Sequence, residues 1–176
     1  AIIPARLAST RLNQKLLIKI NGLEMIEHVR RRAIVSNAFD EVYVATGDQI
    51  IEDLVKSHDG KVIHTFKAHT NGTSRAAEAI NNIDASHIVL IQGDEPLIMP
   101  SDLKLMVQCM NDNPEYSTIN AIASVKDYSD LDDYSQVKCA INEEELILYC
   151  FRRSPSCCRQ DKQLAYIKKM LGLIGY

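Results

Sequence analysis

The 176-residue sequence predicts an α/β fold in which a mostly parallel central sheet carries helices on both faces. Three observations carry that prediction. Short continuous apolar runs alternate with segments whose apolar residues recur at helical spacing, the pattern of a sheet sandwiched by helices. Ile88, Val89, Leu90 and Ile91 are apolar on consecutive residues, as in a parallel strand buried on both faces. Hydrophobic residues make up 46% of the chain and no Pro/Gly/Ser-rich stretch divides it, so one core of ordinary size is expected.

Taken in order, residues 1–4 read as the first strand. Met25, Ile26, Val29 and Ala33 then mark a helix over residues 25–37, with Arg30, Arg31 and Arg32 as its solvated face. Residues 41–46 form a second strand, 49–57 a helix and 61–64 a third strand, with Gly60 supplying the turn between the last two. A polar loop over residues 67–72 leads to a helix through Ile80 with Thr73 as its N-cap. The strand at 87–91 delivers residues 92–96 to its carboxyl edge, and Leu103, Met106, Val107 and Met110 line a helix starting near Ser101. Strands are expected at 117–124, 137–141 and 146–151, a polar turn at 142–145, a helix at 160–170 and a last strand at 172–176.

Composition excludes several classes. No apolar run approaches the roughly 20 residues that span a bilayer, and no charged-then-apolar leader opens the chain. Both ends fall inside strand-like runs, so the sequence reads as cut from a longer one. The five cysteines form no C-x-x-C pair and their odd number makes a poor disulfide framework, so a reducing cytoplasm is the expected home. Vicinal Cys157 and Cys158 do not match structural zinc spacing. With a net charge of −3 and no basic stripe interleaved with aromatics, the chain lacks the footprint of a nucleic-acid binder.

Its cations are instead concentrated. Arg6, Arg11, Lys15 and Lys19 all precede the first acidic residue, Glu24, which makes this stretch locally four charges positive. Such asymmetry points to an anionic ligand, and positioned Arg and Lys groups stabilise charge on a leaving pyrophosphate more in the transition state than in the ground state. The glycines of a Walker loop are absent; Pro4 and Ala5 supply fixed backbone, and Ser9 or Thr10 can donate to phosphate. Gln92-Gly93-Asp94-Glu95-Pro96 brings carboxylates, and one carboxylate with phosphate oxygens is a usual seat for Mg2+. Adjacent side chains at a strand end point apart, so only one of Asp94 and Glu95 is a natural metal ligand, and Asp94 is favoured. The run from His69 to Arg75 stands before a helix, where free N–H groups favour an anion or a polar base edge; His69 itself reads as a solvated loop residue. Ligands of open sheets sit beyond the strand carboxyl ends near the reversal of strand order. The loops after the first strand, the third strand and the 87–91 strand are therefore expected to converge on one cleft.

These motifs occur in a specific order. I-P-A-R-x-x-S-x-R-L from Ile3, I-N-G-x-x-M-I-x-H-V from Ile20, V-A-T from Val44, H-x-x-G-T-x-R from His69, Q-G-D-E-P from Gln92 and L-Y at Leu148-Tyr149 together resemble the 3-deoxy-manno-octulosonate cytidylyltransferase family. The resemblance runs over essentially the whole chain, densely through Pro100. It implies a Rossmann-like nucleotidyltransferase fold, a homodimer, and Mg2+-dependent transfer of CMP from CTP to the anomeric hydroxyl of an eight-carbon acid sugar with release of pyrophosphate. By motif, Arg6, Ser9, Arg11 and Lys15 would hold the triphosphate, Ala5 would also be nucleotide-binding, and Arg11, Lys15 and Asp94 would be catalytic. Asn71, Gly72 and Arg75 would help fix the nucleotide, Gln92 would lie beside the reacting groups and Asp94 would hold Mg2+. Arg152 or Arg153 would meet the sugar carboxylate, a role that bidentate pairing suits. Residues 1–126 would then be a nucleotide-binding part and 127–176 an incomplete acceptor and dimerisation part of a single domain.

The sequence departs from the family pattern at several points. The usual P-G-K of the first loop is Asn13-Gln14-Lys15, Asn71 stands for a Ser, Ser74 for an acidic residue, and Met170 and Ile174 for a sugar-contacting His and Tyr. The family's second metal-binding Asp would come from beyond residue 176. Losing polar contacts to sugar hydroxyls costs specificity steeply. Two other expectations are therefore a related acylneuraminate-type cytidylyltransferase and a nucleotide-binding module without turnover.

Overall fold

The structure is a computed structural model and describes residues 1–8, 12–156 and 158–176. Ser9, Thr10 and Arg11 of the first loop, and Cys157, lie outside the described residues. The chain forms two compact units, one of Ala1–Ile119 with Gly172–Tyr176 and one of Asn120–Leu171.

In the first unit, β1 (Ile2–Pro4), β4 (Tyr43–Thr46), β5 (Lys61–His64) and β6 (Val89–Ile91) are parallel, in the order β5-β4-β1-β6. β10 (Ile167–Gly175) adds its end antiparallel to β6, with Leu173 opposite Ile91 and Gly175 opposite Val89. The chain thus runs outward from β1 to β4 and β5, then returns to the other side of β1. Helices α1 (Met25–Val35), α2 (Gln49–Ser57) and α3 (Gly72–Ala79) connect these strands, and the right-handed rule for such crossovers puts α1 and α2 on one face and α3 on the other. Ala76 and Ala79 of α3 pack on Ile2, Ala45 and Leu90, while strand alternation turns Ile3, Val44 and Ile91 the opposite way. Helix α4 (Pro100–Asp112) opens with Pro in its first turn and packs on α1. The mostly parallel sheet with surrounding helices read from the sequence is therefore the observed architecture.

Several local expectations change. The helix after the polar loop is capped by Asn71, whose side chain accepts the Ser74 N–H, so Thr73 already lies inside the helix. The turn before β5 is made by Asp59 at φ 56°; Gly60 serves a different need, since a Cβ there would lie 2.4 Å from Val55 Cγ1. Arg30 is buried rather than solvated, because its guanidinium grips the fully buried Glu27 at 2.7 and 2.8 Å. A small hairpin, β2 (Lys19–Ile20) and β3 (Leu23–Glu24), turns through Asn21 and Gly22, both at positive φ as a two-residue Asn-Gly loop requires.

The second unit contains α5 (Ser129–Asp132), β8 (Lys138–Ile141), β9 (Ile147–Phe151) and α6 (Gln160–Gln163), and receives most of β7 (Ile119–Ser124). Val125, Leu131 and Ile167 form its core. Lys138 is wholly buried and donates to the carbonyls of Asp130, Asp133 and Gln136 at 2.9, 2.7 and 3.2 Å. The expected helix over 160–170 stops at Gln163, and the chain is extended from Ile167. Ile167, Lys168 and Lys169 pair with Ala140, Cys139 and Lys138, and this ladder overrides the helical preference of Lys-Lys-Met. No helix among the described residues is long and apolar enough to cross a membrane.

Candidate active site

Strand order reverses at β1, and a cavity of about 200 Å³ opens there, beyond the carboxyl ends of β1 and β6. Three loops build it. After β1 the backbone is held by Ala5, whose N–H donates to Ala45 O at 2.8 Å, and by the Leu7 N–H, which donates to the Asp48 carboxylate at 2.8 Å. The loop closes through the Gln14 N–H to Leu7 O at 3.3 Å, with Gln14 at φ 50°, and a 3₁₀ turn at Lys15–Leu17 follows. After β6, Gln92 donates its N–H to Gly172 O at 2.8 Å. Gly93 allows this loop to lie on β1, since a Cβ there would stand 3.1 Å from Ile26 Cδ1 and 3.2 Å from the Pro4 carbonyl oxygen. The third wall is the start of α3, with Asn71 and Gly72.

Ala5, Arg6, Lys15, Asn71, Gly72, Arg75, Gln92 and Asp94 all line this one cavity, so the expected convergence of three loops is what the fold produces. Ser9 and Arg11 are outside the described residues. Arg152 and Arg153 belong to the second unit, where Arg152 donates to Tyr134 O at 2.7 Å and Arg153 pairs with Asp132 at 3.3 Å. Of the acceptor-site departures, Met170 Sδ lies 3.2 Å from Cys150 Sγ in the second unit, and Ile174 pairs with Leu90 in the first. Cys109, Cys139, Cys150 and Cys158 are free thiols.

The electrostatics are those of an anion site with one metal-capable carboxylate. Lys15 Nζ forms an ion pair with Asp94. Arg6 donates to Thr70 O at 3.4 Å and keeps an exposed guanidinium. Arg75 is buried and donates to the Thr65 hydroxyl; desolvation pulls its pKa below the ordinary arginine value, Asp48 opposes that fall and Arg6 adds to it. An arginine stays charged throughout, so the cavity holds a fixed, partly desolvated cation. Glu95 is pushed above its ordinary value, first by desolvation and then by the Asp94 charge, and its carboxylate accepts the Gly172 N–H. Asp94 is thus the carboxylate that opens into the cavity. Among the described residues no group of three or more His, Cys, Asp or Glu could hold a metal by itself. Asp94 supplies the hard oxygen donor that a divalent cation takes.

Sequence reading missed Thr65, Asp48 and Glu78. Asp48 stands in the N-cap position of α2 but makes no side-chain cap there, its carboxylate going to Leu7 instead. His69 is not a solvated loop residue: its side chain is 7% exposed and lies 2.6 Å from Glu78 and 3.1 Å from Ser74.

A doubly wound sheet with a cationic, carboxylate-bearing cavity at its switch point is built to take an anionic ligand, and the relatives of this chain make it a nucleotidyltransferase. The chain belongs to the Cytidylyltransferase family, whose sequence pattern spans residues 1–176. It is 35% identical to 3-deoxy-manno-octulosonate cytidylyltransferase of Escherichia coli, over 99% of this chain and 70% of that protein. It is 34% identical to 8-amino-3,8-dideoxy-manno-octulosonate cytidylyltransferase of Shewanella amazonensis, over 99% of this chain and 73% of that protein. The solved structure of CMP:2-keto-3-deoxy-manno-octonic acid synthetase complexed with CTP matches with a TM-score of 0.89 at 34% identity, covering 99% of this chain and 72% of that one.

Proposed function

We propose that this enzyme transfers CMP from CTP to 3-deoxy-manno-octulosonate and releases pyrophosphate, with Mg2+ held at Asp94. The observation that carries the reading is the convergence of Arg6, Lys15, Arg75 and Asp94 on one cavity in a member of this family. Arg6, Ser9, Arg11 and Lys15 bind the triphosphate, and Asn71, Gly72 and Arg75 fix the nucleoside end. Lys15 is already paired with Asp94, so an incoming triphosphate draws the lysine away and frees the carboxylate for the cation that arrives with the nucleotide. Asp94 would hold the Mg2+, which would supply neutralisation of phosphate charge. The anomeric hydroxyl attacks the α-phosphorus beside Gln92 and gives up its proton to solvent, the bond to the β-phosphate oxygen breaks, and Arg11 and Lys15 stabilise the departing pyrophosphate. Arg152 or Arg153 pairs with the sugar carboxylate.

We further assign residues 1–126 to nucleotide binding and 127–176 to acceptor binding and dimerisation. The homodimer reading draws on β9, an edge strand on which Leu148 and Tyr149 are exposed. The enzyme works in the cytoplasm, where thiols stay reduced. A second acceptor is favoured by a specific observation: relatives of nearly equal identity carry the names of the 3-deoxy and the 8-amino-3,8-dideoxy sugar. Pyrophosphate release from CTP, followed with each sugar in turn, tests both. Release with the 3-deoxy sugar is expected; release only with the amino sugar replaces the acceptor, and CTP binding without release with either overturns the transferase reading in favour of a binding module.

A further inference from the structure

The segment over residues 65–71 enters the cavity at Asn71, yet it has almost no apolar anchorage: Phe66 is 86% exposed, and Lys67, Ala68 and Thr70 are exposed as well. Its course is set instead by one face of α3. The Glu78 carboxylate accepts the N–H groups of Phe66 and Lys67 at 2.7 and 3.3 Å. The same carboxylate takes His69 Nε2 at 2.6 Å, and His69 Nδ1 lies 3.1 Å from Ser74 Oγ. Ser74 in turn binds Asn71 twice, its N–H donating to Oδ1 at 2.8 Å and its hydroxyl to the carbonyl at 3.1 Å. Thr70, between His69 and Asn71, offers the carbonyl that holds Arg6. Each link reaches a loop residue from the helix, and the last of them lines the cavity.

We propose that Glu78 and His69 are positioning residues for the nucleoside end of the ligand. They set the register of residues 66–71 so that Asn71 and Gly72 face the cavity. Neither touches the cavity itself, and both act through Ser74 and Asn71. The core contacts of α3 run through Ala76 and Ala79 on its other side, so loosening this polar chain leaves the packed face intact. The carboxylate is the hub because a single group must accept two backbone donors and one ring donor, which calls for two oxygens with several lone pairs. The proposal rests on the reading that this cavity takes CTP.

Calorimetric titration of CTP and of inorganic tripolyphosphate into the wild type, Glu78→Ala, Glu78→Gln and His69→Ala separates the possibilities. Glu78→Ala and His69→Ala are expected to weaken CTP at least tenfold while tripolyphosphate, gripped by the first-loop cations, changes less than twofold. Glu78→Gln keeps one accepting oxygen but sets an NH2 against the donors that the other oxygen took, and is expected to bind CTP more tightly than Glu78→Ala yet at least threefold more weakly than wild type. Wild-type affinity for CTP in Glu78→Ala and His69→Ala overturns the proposal alone; so does an equal loss for both ligands, or a Glu78→Gln variant as tight as wild type. A wild type that binds tripolyphosphate but shows no preference for CTP overturns the nucleotide reading together with it.

Discussion

Lys15 is the side chain on which the phosphate reading turns, because it is the cation the structure joins directly to Asp94. Lys15→Ala removes a charge-assisted phosphate contact and is expected to weaken CTP at least tenfold, about 1.4 kcal/mol, by calorimetry. An unchanged affinity places the triphosphate elsewhere. Asp94→Asn keeps the size of the side chain and removes its charge. The fold should persist, with CMP transfer falling at least a hundredfold, on the order of 3 kcal/mol; full activity would show that Mg2+ sits on other ligands. The neighbouring Gln14 makes a separate case, since it holds φ 50° where the resembling family has glycine. A left-handed residue with a Cβ is strained, whereas glycine is more disordered when unfolded, so Gln14→Gly is expected to stabilise by a net ~0.5–1 kcal/mol. A lower melting temperature for that variant would mean that the glutamine side chain has a stabilising contact of its own.

At the scale of elements, α3 joins stability to the site, since its cap is also a cavity residue. Asn71→Ala loses the acceptor for the Ser74 N–H and should cost about 1 kcal/mol in chemical denaturation, with CTP affinity falling as well. Asn71→Ser, which can still cap, should regain most of the stability. Elements of this unit were legible because their signals are local: consecutive apolar residues at β6, and helical spacing at α1 and α4. The cavity was legible for the same reason, as motifs at strand ends had to meet once the sheet was parallel. What escaped depends on distant partners. Lys168-Lys169-Met170 prefers a helix until β8 offers it a ladder, and Arg30 looks solvated until Glu27 and the His58 carbonyl meet it inside. The roles of Asp48 and Glu78 are likewise set by backbone N–H groups 41 and 12 residues away, which no spacing rule reveals.

Across the whole molecule, two properties can be read from its surface. The exposed Leu148 and Tyr149 on edge strand β9 belong to the part assigned to dimerisation, so Leu148→Lys should shift sedimentation toward monomer; an unchanged sedimentation profile removes β9 from the interface. The second property is acid sensitivity. Glu52 is held below its ordinary value of 4.5 by Lys56 and then His64, Glu78 by the Phe66 N–H, Asp130 below 3.8 by Lys169, and Asp133 by the Ser135 N–H. For each of these the folded state binds its proton less readily than the unfolded chain. Their stabilisation is complete above the ordinary values and is lost as pH falls through the lower folded ones. Glu95 runs the other way, its raised value giving a contribution that is present in acid and lost as pH rises through that value. The depressed carboxylates are spread over both units and outnumber this single opposing group. Thermal melts from pH 6 to pH 3 should therefore show a melting temperature that is nearly level above pH 5 and falls steadily below about pH 4.5. A melting temperature that holds or climbs down to pH 3 would show that these hydrogen bonds do not discriminate between the folded and unfolded states.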